Sequence, residues 1–347
     1  MYEPVRVLSV LHLSERHLEQ LRSVSPRLVV QQHSISSEEQ WLNASRQQLA
    51  EMLSPDTEIL YTHSAPFDME LVPRLRWVQV DSAGVNLLHN TPLWKSDIPI
   101  TSANGVHAVQ IAEHVLAMLL AHAHHLPLAY RLQDHAQWAS GQQLEAFVSP
   151  EIRGKTLGIL GYGAIGREVA RLAAACGLRV LATKRRGQPA IFDGWSPVGT
   201  GDPEGRIPEQ FYDLDELHLL LPACDAILLA LPLSKQTQHI IGKAALSLMR
   251  PHAFIVNIGR GVLIDHNELI AALQARRLGG VALDVTDPEP LPAESPLWSM
   301  ENVIITPHIA GLSTHYNDRI VDLMSENLRR YLAGEPLLNL VRRELGY

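Results

Sequence analysis

Cysteine, long apolar runs and excess positive charge are scarce in this chain, and each scarcity excludes a class of protein. Only two cysteines occur, Cys176 and Cys224, too few for a disulfide framework or a multi-cysteine metal site, and we expect both thiols to be buried and inert. No stretch approaches the roughly 20 apolar residues of a membrane-spanning helix. The net charge of -8 argues against nucleic acid as a partner. The sequence therefore predicts a soluble, cytoplasmic protein.

What the chain has is the length and composition of a two-domain globular protein. Its hydrophobic fraction of 46% and charged fraction of 19% are ordinary, and 347 residues exceed what one hydrophobic core usually supports. Short apolar runs alternate with helical patterns from Val5 to Val80, including a polar helix from about Glu38 to Met52, and again from Lys155 to Ile305. This alternation predicts α/β architecture with two doubly wound parallel sheets.

The second alternating series carries the glycine-rich turn GYGAIG between its first strand and the following helix, and it is predicted to be a Rossmann dinucleotide-binding domain inserted in a flavodoxin-like substrate domain. A long apolar helix, from about Val109 to Leu126, links them and is expected to stop at Pro127. The stretch 187–205, rich in Gly, Pro and Asp, is expected to be a surface insertion before the next helix. The predicted boundaries are 1–103 for the first part of the substrate domain, 104–306 for the NAD(P)-binding domain and 307–347 for a segment returning to the substrate domain.

A glycine-rich turn between a strand and a helix predicts a dinucleotide site. After the strand Thr156–Leu160 the residues are Gly161, Tyr162, Gly163, Ala164, Ile165 and Gly166, which form a GxGxxG motif. Gly161 permits the tight turn, Gly163 lets backbone approach a pyrophosphate, and Gly166 lets the helix pack on the strand. The helix N-terminus at Ala164 and Ile165 attracts the anion.

A basic tract follows the next strand, which ends at Thr183, and bears on the choice of cofactor. The tract is Lys184, Arg185 and Arg186, and it lacks the acid that would bind the ribose 2′-hydroxyl of NAD. Three cations suit a 2′-phosphate, although a solvated basic loop is the alternative. The sequence favours NADP(H) and leaves NAD(H) open.

An arginine, a carboxylate and a histidine follow three separate strands of the second series. They are Arg260, Glu289 and His308, and such strand ends gather around a nicotinamide. Reduction of a 2-oxo acid needs Arg260 to bind the carboxylate, His308 to deliver a proton and Glu289 to orient the imidazole ring. Other residues after strand ends are predicted to line the cofactor, namely Leu231, Pro232, Ile258 and Gly259.

The motifs GYGAIG, NIGRG, DPEP and TPHIAG, in this order, resemble those of the D-isomer-specific 2-hydroxyacid dehydrogenases. The family includes glyoxylate and hydroxypyruvate reductases, phosphoglycerate dehydrogenase and formate dehydrogenase, and the resemblance runs from about Trp77 onward. It implies that Arg260, Glu289 and His308 are the catalytic triad and that Asp284 lies near the nicotinamide carboxamide. It further implies that Ala83 and Gly84 donate backbone hydrogen bonds to the substrate carboxylate, and that the region of the long helix forms a homodimer contact.

Substrate identity depends on side chains around Thr62–Ser64 and Ala83–Val85. The segment WVQVDSAGV is most similar to the reductases of small acids, which favours glyoxylate or hydroxypyruvate. A phosphoglycerate dehydrogenase without a regulatory domain remains open, whereas formate dehydrogenase is disfavoured because it is expected to carry Gln in place of Glu289.

The sequence also suggests two hypotheses from other functional classes, a cofactor-sensing protein and a metal-binding protein. An NAD(P)H-sensing protein, similar to the corepressors that resemble this family, would bind cofactor with little turnover. A metal site is suggested by His122, His124 and His125, but helical spacing separates positions two apart and no Cys or carboxylate accompanies them. We therefore expect no metal.

Overall fold

The computed structural model describes residues 3–35, 44–63 and 68–346, which form two compact units. The first unit runs to His107, takes in Asp193–Pro197 and resumes at Ser313. The second unit comprises Ala108–Phe192 and Val198–Leu312. The chain thus leaves the first unit after residue 107 rather than the predicted 103, and the assignment of substrate and cofactor to separate units stays a prediction.

The first unit is a five-stranded parallel sheet in the order β2-β1-β3-β4-β5, which is the flavodoxin-like order. Alternate residues of β3 lie on opposite faces of the sheet. Ile59 and Tyr61 pack with the first and last helices of this unit, whereas Leu60 packs with Leu49 of its second helix. Numbered along the whole chain, its elements are β1 (Val5–Ser9), α1 (Glu15–Ser23), β2 (Leu28–Gln32), α2 (Arg46–Met52), β3 (Ile59–Thr62), β4 (Trp77–Val80), β5 (Ile100–Thr101) and α9 (Tyr316–Ala333).

The second unit is a seven-stranded parallel sheet in the order β12-β11-β10-β9-β6-β7-β8, the Rossmann order with one added strand. Four of its central strands are buried along their whole length, because helices cover both faces of the sheet there. Its elements are α3 (Ala108–Ala123), α4 (Leu126–Asp134), β6 (Thr156–Leu160), α5 (Ala164–Ala175), β7 (Arg179–Thr183), β8 (Gln210–Tyr212), α6 (Leu217–Leu220), β9 (Ala226–Leu229), α7 (Lys243–Leu248), β10 (Phe254–Asn257), α8 (His266–Gln274), β11 (Gly280–Leu283) and β12 (Val303–Ile305). The structure confirms the two doubly wound parallel sheets that the sequence predicts.

Pro127 does not end the long helix, and that expectation was wrong. Helix α3 already ends at Ala123, and His125 adopts a left-handed conformation with φ 53°. Pro127 then lies in the first turn of α4, where the missing N–H costs nothing because no helical carbonyl precedes it.

Short elements account for the other differences. Strands β5 and β8 have two and three residues, too few to show periodicity, and β8 stands where a helix was expected after the insertion. Helix α2 begins at Arg46 after a capping box formed by Ser45, and residues 38–43 of the predicted polar helix lie outside the described residues. Over the described ranges, no helix is both long enough and apolar enough to cross a membrane.

Buried polar groups hold the ends of the insertion against α5, which its irregular sequence did not indicate. Arg167 of α5 is buried and donates to the carbonyls of Asp202 at 2.5 Å and Ala190 at 2.6 Å. The Tyr162 hydroxyl donates to the Asp202 carboxylate at 2.6 Å. Hydrogen bonds from α5 and from the glycine turn therefore hold both ends of the insertion in place.

The middle of the insertion, Asp193–Pro197, belongs to the first unit. There the Trp195 backbone N–H donates to the Asn339 side chain at 3.1 Å, and the Trp195 side chain packs on the cluster that joins β1 to α9. Gly105 is required beside it: its φ is +90°, and a Cβ would lie 2.0 Å from the Trp195 carbonyl oxygen. The first unit is thus built from three separated segments of chain.

Replacing Asp202 should test how firmly the insertion is held. Burial opposes its charge, but hydrogen bonds from Tyr162 and from the N–H groups of Ile207 and Arg206 outweigh burial, so the pKa of Asp202 lies below its ordinary value. We expect Asp202→Ala to lower the free energy of unfolding by about 2–3 kcal/mol at pH 7. Because the pKa of Asp202 is lower in the folded state than the unfolded value of about 4, its carboxylate stabilises the folded state above about pH 4. The difference in free energy of unfolding between the wild type and Asp202→Ala should therefore narrow as the pH falls below about 4.

Urea denaturation at pH 7 and pH 3.5 measures this difference. Glu204→Ala is the matched control, because Glu204 lies in the same insertion and pairs only at the surface with Arg206. Equal losses of stability in the two variants would contradict a special role for Asp202.

Candidate active site

The glycine turn has the geometry that a pyrophosphate requires. Gly161 has φ +103°, and a Cβ there would lie 2.5 Å from the Ala230 carbonyl oxygen; a Cβ on Gly166 would lie 2.3 Å from the Gly161 oxygen. Among the described residues, a Cβ on Gly163 would meet no atom within 4 Å, so the space above it is open. No side chain caps α5 at Gly163, which leaves the N-terminal N–H groups for an anion. These residues fit a dinucleotide.

The basic tract lies beside this turn, because the Gly161 N–H donates to the Thr183 hydroxyl at 3.0 Å. The Lys184 ammonium donates to the Gln188 carbonyl at 2.8 Å. Arg186 is exposed and binds two carboxylates that follow β8, Asp213 at 2.7 Å and Asp215 at 3.0 Å. The sequence predicted the cations but not these acidic partners.

His308 and Glu289 form the pair that the sequence predicted. The His308 Nδ1 and Glu289 Oε1 atoms are 2.6 Å apart, and the two side chains are exposed by 54% and 42%. Arg260 is half-buried, and its guanidinium donates to the Gly259 carbonyl at 2.7 Å. Burial lowers the pKa of Arg260, and the negative charge of Glu289 opposes that shift. All three follow strands at the carboxyl edge of the second sheet.

Asn257 fixes the loop that carries Arg260. Its side-chain amide donates to the Arg260 carbonyl at 2.9 Å, and its oxygen accepts the Gly259 N–H at 3.1 Å. Gly261 is needed next, because a Cβ there would lie 2.0 Å from the Thr286 carbonyl oxygen. The backbone on both sides of Arg260 is therefore fixed before any ligand binds.

Asp284 fixes the loop that carries His308, a role that the sequence did not reveal. Its buried carboxylate accepts hydrogen bonds from the Thr306 hydroxyl at 2.6 Å and the N–H groups of Ile309 at 2.9 Å and Ala310 at 3.0 Å. The His308 N–H donates to the Asp284 carbonyl at 2.9 Å. These bonds hold His308 at φ +55°, a left-handed conformation that costs a non-glycine residue on the order of 1 kcal/mol. The predicted contact of Asp284 with a carboxamide stays a prediction.

His114 of α3 is a further residue near this loop that sequence reasoning missed. Its Nε2 lies 3.3 Å from the Thr306 hydroxyl and 4.0 Å from the Asp284 carboxylate. Burial lowers the pKa of His114, which favours the neutral ring. No local motif marks it, because its partners lie far along the chain.

The remaining residues predicted to line the cofactor follow β9 and β10. Leu231 and Ile258 are each 9% exposed, and the Pro232 carbonyl accepts the Thr237 hydroxyl at 2.7 Å. A Cβ on Gly259 would lie 2.8 Å from Leu263. The structure brings these residues to the same carboxyl edge as Arg260, while their contact with a cofactor stays a prediction.

In the first unit, Ala83 and Gly84 follow β4 in a loop pinned at several points. The Tyr316 hydroxyl donates to the Asp81 carbonyl at 2.5 Å, and the Ser82 hydroxyl donates to the Gly84 carbonyl at 2.6 Å. His63 pairs with the Asp81 carboxylate. Within the described residues, the N–H groups of Ala83 and Gly84 donate to no protein acceptor, so both remain available to an anion. Ser64, named with the substrate side chains, lies outside the described residues.

Three further residues that the sequence analysis singled out, His122, Cys176 and Cys224, lie outside these loops. His122 stacks on Phe254 with ring centroids 3.9 Å apart, and burial lowers its pKa to about 4. Burial raises the pKa of Cys224 to about 12, whereas Cys176 is only half-buried, so the expectation of two buried thiols was wrong for Cys176. Over the ranges that the structure describes, no group of three or more His, Cys, Asp or Glu side chains is placed to hold a metal ion.

Comparisons with known proteins place the chain in a family. The family model described as D-isomer specific 2-hydroxyacid dehydrogenase, NAD binding domain, matches residues 116–310. A hydroxypyruvate reductase of Blautia hydrogenotrophica is 30% identical over 293 residues, which cover 83% of this chain and 86% of that protein. An (S)-sulfolactate dehydrogenase of Chromohalobacter salexigens is 34% identical over 268 residues, covering 76% and 81%.

A solved structure agrees over the full length. It is a D-isomer specific 2-hydroxyacid dehydrogenase from Xanthobacter autotrophicus Py2 in complex with NADPH and MES, with a TM-score of 0.76, 25% identity and 100% of both chains covered. The glycine turn, the family model and these relatives lead to one conclusion: the chain belongs to the D-isomer specific 2-hydroxyacid dehydrogenases and is an NAD(P)-dependent oxidoreductase.

Proposed function

We propose that this enzyme reduces a small 2-oxo acid, glyoxylate to glycolate or hydroxypyruvate to D-glycerate, with NADPH preferred over NADH. The observation that carries this proposal is the His308–Glu289 pair, 2.6 Å apart, with Arg260 on a neighbouring loop of the same sheet edge. The similarity to a hydroxypyruvate reductase supports the substrate class.

Arg260, His308 and Glu289 each have a different role in the proposed reaction. Nicotinamide, when bound, supplies the hydride that C2 of the 2-oxo acid accepts. The Arg260 guanidinium binds the substrate carboxylate and polarises the carbonyl. Because Glu289 holds Nδ1 of His308, Nε2 is the atom that donates a proton to the carbonyl oxygen. Glu289 stabilises the imidazolium form of His308 before the proton is transferred. Addition of the hydride to C2 and of the proton to the oxygen gives the hydroxy acid.

Backbone groups share the binding of the substrate carboxylate in this proposal. The N–H groups of Ala83 and Gly84 use no acceptor among the described residues, which is the state a carboxylate-binding turn requires. Asp284 can still accept a hydrogen bond from the nicotinamide carboxamide, since a carboxylate has about four acceptor positions and it uses three.

The preference for NADPH is proposed from the end of β7. No acid follows Thr183, and Lys184, Arg185 and Arg186 place three positive charges there. The similar Xanthobacter structure contains NADPH. The open space above Gly163 and the uncapped start of α5 would hold the pyrophosphate.

We also propose that the enzyme is a homodimer whose contact follows α3. Between Leu126 and Val148 the chain exposes large apolar side chains, with Trp138 exposed by 93%, Val148 by 72% and Tyr130 by 62%. Such a concentration of apolar surface marks a protein contact. A second copy of this chain is the partner that the family resemblance implies, and the expected cytoplasmic location stays a prediction.

Oxidation of NADPH and NADH, followed at 340 nm with a panel of acids, tests the proposed function. The panel is glyoxylate, hydroxypyruvate, pyruvate, 3-sulfopyruvate, 3-phosphohydroxypyruvate and 2-oxoglutarate. We expect turnover to be fastest with glyoxylate or hydroxypyruvate and faster with NADPH. Tight NADPH binding without turnover on any acid would contradict the reductase and favour a cofactor sensor, and a preference for the phosphorylated acid would favour the phosphoglycerate alternative.

His308→Gln should lower kcat by a factor of about 10²–10⁴, because the proton donor is lost, and should leave NADPH affinity within about twofold. His252→Gln is the matched control: His252 also pairs with a carboxylate, Asp225 at 3.0 Å, but it precedes β10 at the opposite edge of the sheet. Steady-state kinetics and fluorescence titration supply the two readouts. Equal activity of the His308 and His252 variants would rule out His308 as the proton donor.

Trp138→Glu should convert the dimer to a monomer, because it buries a charge in the proposed contact. Val198→Glu is the control, since Val198 is equally exposed and apolar but lies in the insertion. Sedimentation velocity at micromolar concentration distinguishes the two species. A monomeric wild type, or a Trp138→Glu protein that stays dimeric, would contradict this contact.

A further inference from the structure

Two acidic residues after β8 share the surface on which the proposed 2′-phosphate site lies. Strands β7 and β8 are parallel neighbours, with Thr183 paired to Tyr212 and the Lys184 N–H bonded to the Tyr212 carbonyl at 3.0 Å. The residues that follow each strand therefore leave the sheet side by side. The basic tract is on one of these connections and Asp213 and Asp215 are on the other.

Both carboxylates bind the same guanidinium. The Arg186 Nε donates to Asp213 at 2.7 Å and an Nη donates to Asp215 at 3.0 Å. Hydrogen bonding to Asp213 and the charge of Asp215 raise the pKa of Arg186. The Nε and Nη donors of Arg186, which could bind a phosphate, thus donate to two carboxylates.

We propose that Asp213 and Asp215 are specificity-determining residues that weaken binding of the 2′-phosphate and so reduce the preference for NADPH over NADH. The inference rests on the proposed NADPH site at Lys184–Arg186. A 2′-phosphate carries close to two negative charges at pH 7, and carboxylates that share its arginine repel it. NADH has a neutral hydroxyl at that position, so the same carboxylates leave its affinity unchanged.

The size of the effect follows from charge and solvent exposure. Arg186 is 72% exposed and Asp215 is 67% exposed, so water and salt screen the repulsion. At separations of about 6 Å, removing two carboxylate charges should tighten NADPH binding roughly three- to tenfold at low ionic strength. The gain should shrink in 0.5 M salt.

The double variant Asp213→Asn/Asp215→Asn removes charge while keeping side-chain acceptors. Asn also preserves the N-cap that Asp213 gives to the short 3-10 turn Leu214–Glu216. The single variant Asp215→Asn changes only an exposed side chain, and it keeps the test valid if the double variant is unstable.

Glu209→Gln is the matched control. It removes one exposed carboxylate of the same two strands, but Glu209 binds Arg179 at the opposite, amino end of β7. Arg186→Gln completes the set, since it removes the proposed phosphate ligand itself. Fluorescence titration with NADPH and with NADH measures both dissociation constants for each variant.

The expected result is tighter NADPH binding in the Asp213/Asp215 variants, NADH binding within twofold, no change in Glu209→Gln and weaker NADPH binding in Arg186→Gln. Unchanged or weaker NADPH binding in the Asp variants, with Arg186→Gln still weakened, would overturn this inference alone. Unchanged NADPH binding in Arg186→Gln as well would overturn both the inference and the proposed cofactor preference.

Discussion

The hydrogen bonds accepted by Asp284 determine where His308 lies, and the proposed chemistry depends on that position. One buried carboxylate joins the end of β11 to the backbone beyond β12, through the N–H groups of Ile309 and Ala310. His308 itself is held in a left-handed conformation by its N–H bond to the same residue. A ring fixed in this way keeps Nδ1 against Glu289, so the pair need not be ordered again when substrate binds.

Sequence reasoning located the candidate-site residues whose arrangement follows from a local pattern, and their roles stay predictions. The glycine turn was predictable because Gly161 and Gly166 are required by backbone atoms that a strand-turn-helix unit always brings together. Arg260, Glu289 and His308 were predictable because parallel strands end at one edge. In contrast, the partners of Asp284 lie 22 to 26 residues away, and no periodicity connects them.

The fold shows the same limit. Most strands could be located because they are apolar runs, whereas β5 has only two residues and β8 begins with the exposed Gln210, so neither is distinguished from a loop. The sequence pattern predicts a helix end at Pro127, but proline is equally suited to the first turn of a helix, which is where Pro127 lies. The anchoring of the insertion depends on Arg167 and Asp202, two charged residues whose burial is decided by tertiary contacts and not by local pattern.

In the proposed function, the cofactor end of the site carries both groups that attract and groups that repel a 2′-phosphate. The cations after β7 would attract it, while Asp213 and Asp215 after β8 bind one of those cations, Arg186. The reacting end is more rigid, since Asn257 and Asp284 fix both loops that carry its side chains. In the proposed function, specificity for the acid and specificity for the nucleotide therefore depend on separate groups of residues.

The central claim is that hydride reaches C2 of a 2-oxo acid while His308 protonates the oxygen. The most direct test is to reduce glyoxylate and hydroxypyruvate with NADPH deuterated at C4, in each stereochemical form, and to examine the products by NMR and chiral chromatography. Deuterium at C2 from one of the two forms, with only the D enantiomer formed from hydroxypyruvate, is the predicted result. A product without deuterium at C2, the L enantiomer, or no product from any 2-oxo acid would contradict the account.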